Sequence, residues 1–198
     1  MSAVIQPPTH LNAAYLKSKH QAGLNYDQYL ATDPAKAERW RAIEPQIVLS
    51  SQQEELVAGF TRQVRVLCVS GIWCGDCVAQ CPMLWRIAQA NPNAIDLRFV
   101  DRDQHIDLAE HIRINAGLRV PMVIFMAEDF EPVSICGDRT LTRYRALAAK
   151  QLGAACPLPG APIPRDELNV TLQDWLDEFE RVHLLLRLSG RLREKHGD

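Results

Sequence analysis

Val64-Arg65-Val66-Leu67-Cys68-Val69, then Trp73-Cys74-Gly75-Asp76-Cys77, then Val78, Met83, Leu84, Ile87 and Ala88 form the stretch that decides the fold. The first run is short, apolar and β-branched, as a buried strand is. The last set falls on one helical face, broken once by Pro82. The two cysteines of the middle run therefore stand where a strand hands over to a helix. The first turn of a helix has free backbone N–H groups and the positive end of the macrodipole. Both favour an anion, so this position predicts a thiol that ionises readily. Two residues separate the cysteines, so they fit within one turn and can close a small disulfide. Cys74, the outer one, reads as the nucleophile. Cys77, one turn inside, reads as the resolving thiol that attacks a mixed disulfide.

Working outward, Ile95-Asp96-Leu97-Arg98-Phe99-Val100 alternates as a strand, and residues 105–115 read as a helix. Val120 to Met126 reads as a strand with Pro121 at its start, where a strand tolerates proline. Val133 to Cys136 is a further strand, joined to it through Glu128-Asp129 as a hairpin. Thr140 is expected to cap a last core helix that ends near Leu152 at Gly153. Upstream, Ser51-Gln52-Gln53-Glu54 reads as a capping box for a helix through Phe60. The order is αβαβαββα, a mixed α/β domain over residues 50–153.

Residues 1–49 read as a helical extension covering one side of that domain. Thr9 opens a helix to about Gln21, Tyr26, Tyr29 and Leu30 suggest a short turn, and Thr32-Asp33-Pro34 starts a helix anchored by Trp40 and Ile43. Residues 154–165 are a proline-dense linker, stiff and non-helical. Residues 166–198 read as one long helix, or two joined near Ser189-Gly190. Leu172, Trp175, Leu176, Phe179, Val182, Leu185, Leu186 and Leu188 give it an apolar face too wide to leave in water. It is expected to pack on the domain or on a partner, a homodimer seam being the second choice.

The chain has 198 residues, is 47% hydrophobic and carries a formal net charge of -2. That balance gives no reason to expect nucleic acid or an anionic membrane as a partner. No secretory pattern opens the sequence and no apolar run reaches transmembrane length, so a cytoplasmic protein is expected. In a reducing compartment six cysteines do not imply a disulfide framework.

Cys74, Cys77, Cys81 and Pro82 spell the tail of a ferredoxin-type cluster run, but its first cysteine would be residue 71, which is Gly71. No second CxxC exists, and His105 and His111 do not share a helix face, so no metal is expected. Cys81 lies one turn after Cys77, as an inert buried cysteine or a second resolving thiol. Cys68 and Cys136 read as buried strand cysteines, and Cys156 lies in the linker without an assigned role. Arg143-Tyr144-Arg145 and Arg191-Leu192-Arg193-Glu194-Lys195 read as solvated faces, and Asp138 shows no pairing pattern.

Taken together, Trp73-Cys74-Gly75-Asp76-Cys77 resembles the WCxxC active site of the thioredoxin family, and Pro82 the proline that kinks its active-site helix. Val120-Pro121 resembles the family's cis-proline site, and Gly137 the glycine after its last strand. The resemblance covers roughly residues 50–152. It implies an α/β fold of thioredoxin-like type, a three-layer sandwich with a mixed central sheet flanked by helices. Here that fold would carry added N-terminal helices and a long C-terminal helix. It implies a thiol–disulfide oxidoreductase reducing protein disulfides through Cys74 and Cys77, its redox-active disulfide serving in place of any cofactor. Substrate would lie against Trp73, Val120 and Pro121, and a reductase or low-molecular-weight thiol would restore the dithiol. Gly75, Asp76, Cys68 and Cys81 would modulate the site. Asp76 replaces the family's usual proline or histidine and is expected to counter the helix end and disfavour a strongly oxidising site. Cys68 stands where the family carries a buried aspartate, which leaves the proton acceptor for Cys77 unassigned. The rival reading is a non-catalytic thioredoxin-like interaction module or redox sensor.

Overall fold

The computed structural model describes residues 11–152 and 166–198. Thr9, Gly153, Cys156 and the proline-rich linker lie outside the described residues. Within them the chain forms α1 (Ala13–Ala22), α2 (Tyr26–Leu30), α3 (Pro34–Ile43), α4 (Ser51–Ala58), β1 (Val64–Ser70), α5 (Gly75–Ala90), β2 (Ile95–Asp101), α6 (Ile106–His111), β3 (Met122–Met126), β4 (Pro132–Gly137), α7 (Leu141–Leu152), α8 (Glu167–Leu188) and α9 (Gly190–His196).

The sheet runs in the order β2-β1-β3-β4. β1 and β2 are parallel, while β3 lies antiparallel to both β1 and β4. This is the mixed sheet flanked by helices that the resemblance implies. The β1 register sets Cys68 beside Phe99 on one neighbour and Val123 on the other. Cys68 therefore shares their face of the sheet, and on that face it meets Cys81 of α5.

The N-terminal helices complete the core. Leu24 pairs with Phe99 along the free edge of β2. Tyr29 stacks on Phe99 at 5.4 Å, and Trp40 approaches both rings. The buried Trp40 indole donates to the Ile72 carbonyl at 2.9 Å. These helices thus do more than cover one side: α3 holds the loop that leads into the cysteine pair.

α8 lies against α5 and α7. Its Leu172, Trp175, Leu176, Phe179, Val182 and Leu186 are buried, and Phe179 meets Phe125 of β3 edge-on at 5.0 Å. Leu185 and Leu188 instead remain exposed, because they fall on the outer side of the helix. Arg191, Lys195 and His196 of α9 pair with Asp129 and Glu128 of the β3–β4 hairpin. The basic run at 191–195 is therefore an intramolecular clamp in part, not simply a solvated face.

Several boundaries differ from the sequence expectation for local reasons. Asn12, not Thr9, caps the first helix, its side chain accepting from the Tyr15 N–H. The capping box is Ser50 with Gln53, one residue earlier than expected, and its helix ends at Ala58. α6 stops at His111, because Ile112 leaves helical geometry and Ile114 pairs with Gly117 instead. The Thr140 hydroxyl is buried without a partner, and the free N–H of Thr142 is taken by Asp174 of α8 at 3.0 Å. β3 begins at Met122, after a cis Val120–Pro121 bond.

Truncating the ring at the α8–β3 contact tests this packing. Phe179→Ala is expected to lower unfolding stability by about 3–5 kcal/mol, measured by urea denaturation. A loss below about 1 kcal/mol would mean that α8 is not part of the cooperative core.

Candidate active site

β1 ends in Ser70, and the chain turns through Gly71 before Trp73. A Cβ on Gly71 would lie 2.8 Å from the Trp73 ring, so a side chain there would displace the indole. Trp73 is 41% exposed, and the Arg102 guanidinium stacks 4.8 Å from its ring centre. Cys74 is the N-cap of α5 and is half-buried. Its Sγ donates to the Val120 carbonyl at 3.7 Å, beside the cis Pro121. Cys77 lies inside the helix and is fully buried, its Sγ 3.4 Å from the Gly71 N–H. Trp73, Cys74, Cys77, Val120 and Pro121 are therefore gathered at one edge of the domain. Gly75 is also there, and a Cβ on it would meet the Arg39 guanidinium at 4.0 Å, an ordinary contact.

Gly137 closes the wall behind Pro121. A Cβ on it would lie 2.5 Å from Met122 Sδ and 2.6 Å from the Pro121 carbonyl. Only glycine allows β4 to approach the proline loop so closely.

The electrostatics differ from the expectation in two respects. Asp76 is not a free carboxylate at the helix end. Arg139 grips it with Nε at 2.9 Å and Nη2 at 2.5 Å, and Arg143 adds a contact at 3.2 Å. A bidentate guanidinium compensates the carboxylate and holds it in place. Arg143, read from sequence as solvated, spans Asp76 and Glu167. Asp138, read as unpaired, is buried and bonded by Arg119, Arg139 and Tyr144. Gln80 ties the two regions together, its amide donating to the Asp138 carbonyl at 2.9 Å.

The second difference concerns Cys74 itself. The neighbouring Cys77 thiol, then partial burial, hold the Cys74 thiol above its ordinary range, against the pull of the Cys77 and Asp76 N–H groups. The helix end acts as expected, but the pair is close enough that charge on one sulfur opposes charge on the other. Burial pushes the Cys77 thiol well up as well. Both effects favour the neutral thiols of the reduced pair over their thiolates.

Cys68 and Cys81 are fully buried, 3.7 Å apart at sulfur. Ser70, which the sequence reading passed over, places its hydroxyl 3.7 Å from Cys81. Its signal was its position: a polar residue ending an otherwise apolar strand next to the cysteine turn. Cys136 is only half-buried, contrary to expectation, because it stands on the edge strand β4; its Sγ donates to the Glu178 carboxylate at 3.0 Å and meets the Ser134 hydroxyl at 3.6 Å. Burial and then the Glu178 carboxylate push its thiol up to about 12. Among the described residues no group of three or more His, Cys, Asp or Glu is arranged to hold a metal ion. Nor is any described helix long and apolar enough to cross a membrane.

A family model described as Thioredoxin matches residues 23–145. No curated protein matches the chain. The fold is similar to the crystal structure of a protein of unknown function from Pseudomonas aeruginosa, at 22% identity and a TM-score of 0.54, covering 86% of this chain and 98% of that one. An HIV epitope-scaffold structure is similar at 17% identity and a TM-score of 0.54, covering 84% and 92%. At these identities the likeness concerns the fold.

Because the Cys74 thiol is held up, its thiolate is populated only as pH rises. Alkylation of Cys74 by iodoacetamide is expected to quicken by about tenfold per pH unit from about pH 6 to 8. A rate that levels off below about pH 7 would contradict the protonated dithiol.

Proposed function

The chain belongs to the thioredoxin family, and we propose that it is a thiol–disulfide oxidoreductase that reduces protein disulfides through Cys74 and Cys77. The observation that carries this reading is the asymmetry of the pair. Cys74 is partly accessible beside the Val120–Pro121 loop, whereas Cys77 is sealed beneath it.

An extended substrate lies along that loop and pairs with the Val120 backbone as an added strand. Trp73, with Arg102 behind it, offers the apolar wall for docking. Cys74 loses its proton and attacks one substrate sulfur, and the other substrate sulfur leaves as a thiol. Cys77 then loses its proton and attacks Cys74 Sγ. The substrate sulfur held on Cys74 leaves and takes up a proton, and a Cys74–Cys77 disulfide remains. Two electrons from a reductase or a low-molecular-weight thiol restore the dithiol, in a cytoplasmic setting. No further cofactor enters.

The electrostatics support the reducing direction of exchange. Strongly oxidising sites owe their character to a stabilised thiolate. Here the Cys74 and Cys77 thiols are both pushed up, and the Arg139 and Arg143 charge is spent on Asp76. That arrangement supports a reductant.

Cys74→Ser is expected to abolish insulin reduction while leaving the thermal melt near that of the parent chain. Wild-type turnover in this variant would rule out the mechanism. Cys77→Ser is expected to trap substrates as mixed disulfides through Cys74. Mass spectrometry finding the adducts mainly at Cys81 would reassign the resolving thiol.

A further inference from the structure

Cys68 and Cys81 stand in sulfur-to-sulfur contact at 3.7 Å, one on β1 and one on α5, both without solvent access. A disulfide requires a separation of about 2.05 Å, so closure takes a movement on the order of 1.7 Å from the observed contact. Buried cysteine is ordinarily a small apolar filler. This pair differs in its placement. Cys81 lies one helical turn from Cys77 on α5, and Cys77 lies one turn from the N-cap Cys74. The four cysteines thus follow one another, Cys74, Cys77 and Cys81 on successive turns of α5 and Cys68 across from Cys81 on β1, from half-exposed to wholly buried.

We propose that Cys68 and Cys81 are a second, internal redox couple that accepts the disulfide of Cys74–Cys77 by intramolecular exchange. The inference rests on the oxidoreductase reading of the outer pair. Cys81 loses its proton and attacks Cys77 Sγ. The Cys74–Cys77 bond breaks, a Cys77–Cys81 bond forms, and Cys74 leaves and takes up a proton. Cys68 then loses its proton and attacks Cys81 Sγ. A Cys68–Cys81 bond forms, and Cys77 leaves and takes up a proton. Two electrons have passed from the inner pair to the outer pair, and no external oxidant or reductant is consumed. Ser70, in contact with Cys81, is placed to hand protons between these thiols. The outer dithiol is restored for a second substrate disulfide before any external donor acts, so the chain stores two disulfides rather than one.

The test uses the full wild-type chain, fully reduced and then equilibrated with excess oxidised glutathione, acid-quenched and alkylated. Cleavage after Trp73 and before Asp76 places Cys68 and Cys74 on separate fragments, and tandem fragmentation separates Cys77 from Cys81. The expected result is a Cys68–Cys81 link together with the Cys74–Cys77 link, and an intact-mass loss of about 4 Da. In Cys77→Ser the inner link is expected to form at least about tenfold more slowly, because the oxidising equivalents enter through Cys77. A Cys74–Cys77 link alone, with a loss of about 2 Da at every poise, would overturn the inference and leave the outer mechanism standing. An inner link forming equally fast in Cys77→Ser would overturn the exchange route. No link at all would overturn both readings.

Discussion

The constraint on which the molecule depends is the passage from β1 into α5. The strand must end, turn and start a helix within a few residues while keeping three sulfurs out of water. Each side of the turn is held separately. The buried Trp40 indole takes the Ile72 carbonyl, Gly71 gives way to the Trp73 ring, and the Gly71 N–H meets Cys77 Sγ. Buried polar groups are costly unless bonded, so these bonds fix the turn rather than decorate it. Once it is fixed, Cys74 has one position, facing the Val120–Pro121 loop.

Around this turn the charges are arranged in compensated groups. Asp76 at the start of α5 and the buried Asp138 after β4 are bridged by Arg139, with Arg143 and Arg119 completing the set. Removing one partner from such a group leaves the other uncompensated, at a cost exceeding the worth of the pair. The network joins α5, the end of β4 and α7, and through Glu167 it reaches α8. The C-terminal helix is thereby coupled to the cysteine turn by charge as well as by its apolar face.

Much of this was legible in the sequence. The strand at 64–70, the CxxC at its exit and the proline before β3 carry periodicities and residue types with direct structural meaning, and they led to the correct sheet. Most of the gaps were of one kind. Helix caps slipped by one residue at Ser50 and were supplied from elsewhere at Thr142, because a cap needs only a nearby acceptor and Asp174 is distant in sequence. Arg139 and Arg143 gave no local pattern, since their shared partner Asp76 lies on α5, and Asp138 is reached from a distant loop by Arg119. The thiol of Cys74 was misjudged for another reason: the helix end was weighed, but the Cys77 thiol three residues on and partial burial, which act the other way, were not.

The central claim is that a dithiol with unstabilised thiolates acts as a reductant. The most direct measurement is the reduction potential of the Cys74–Cys77 couple, by equilibration with dithiothreitol or glutathione and mass readout. A value near ~-270 mV is predicted. A value near ~-120 mV would mean that the thiolate is stabilised after all, and would contradict the account.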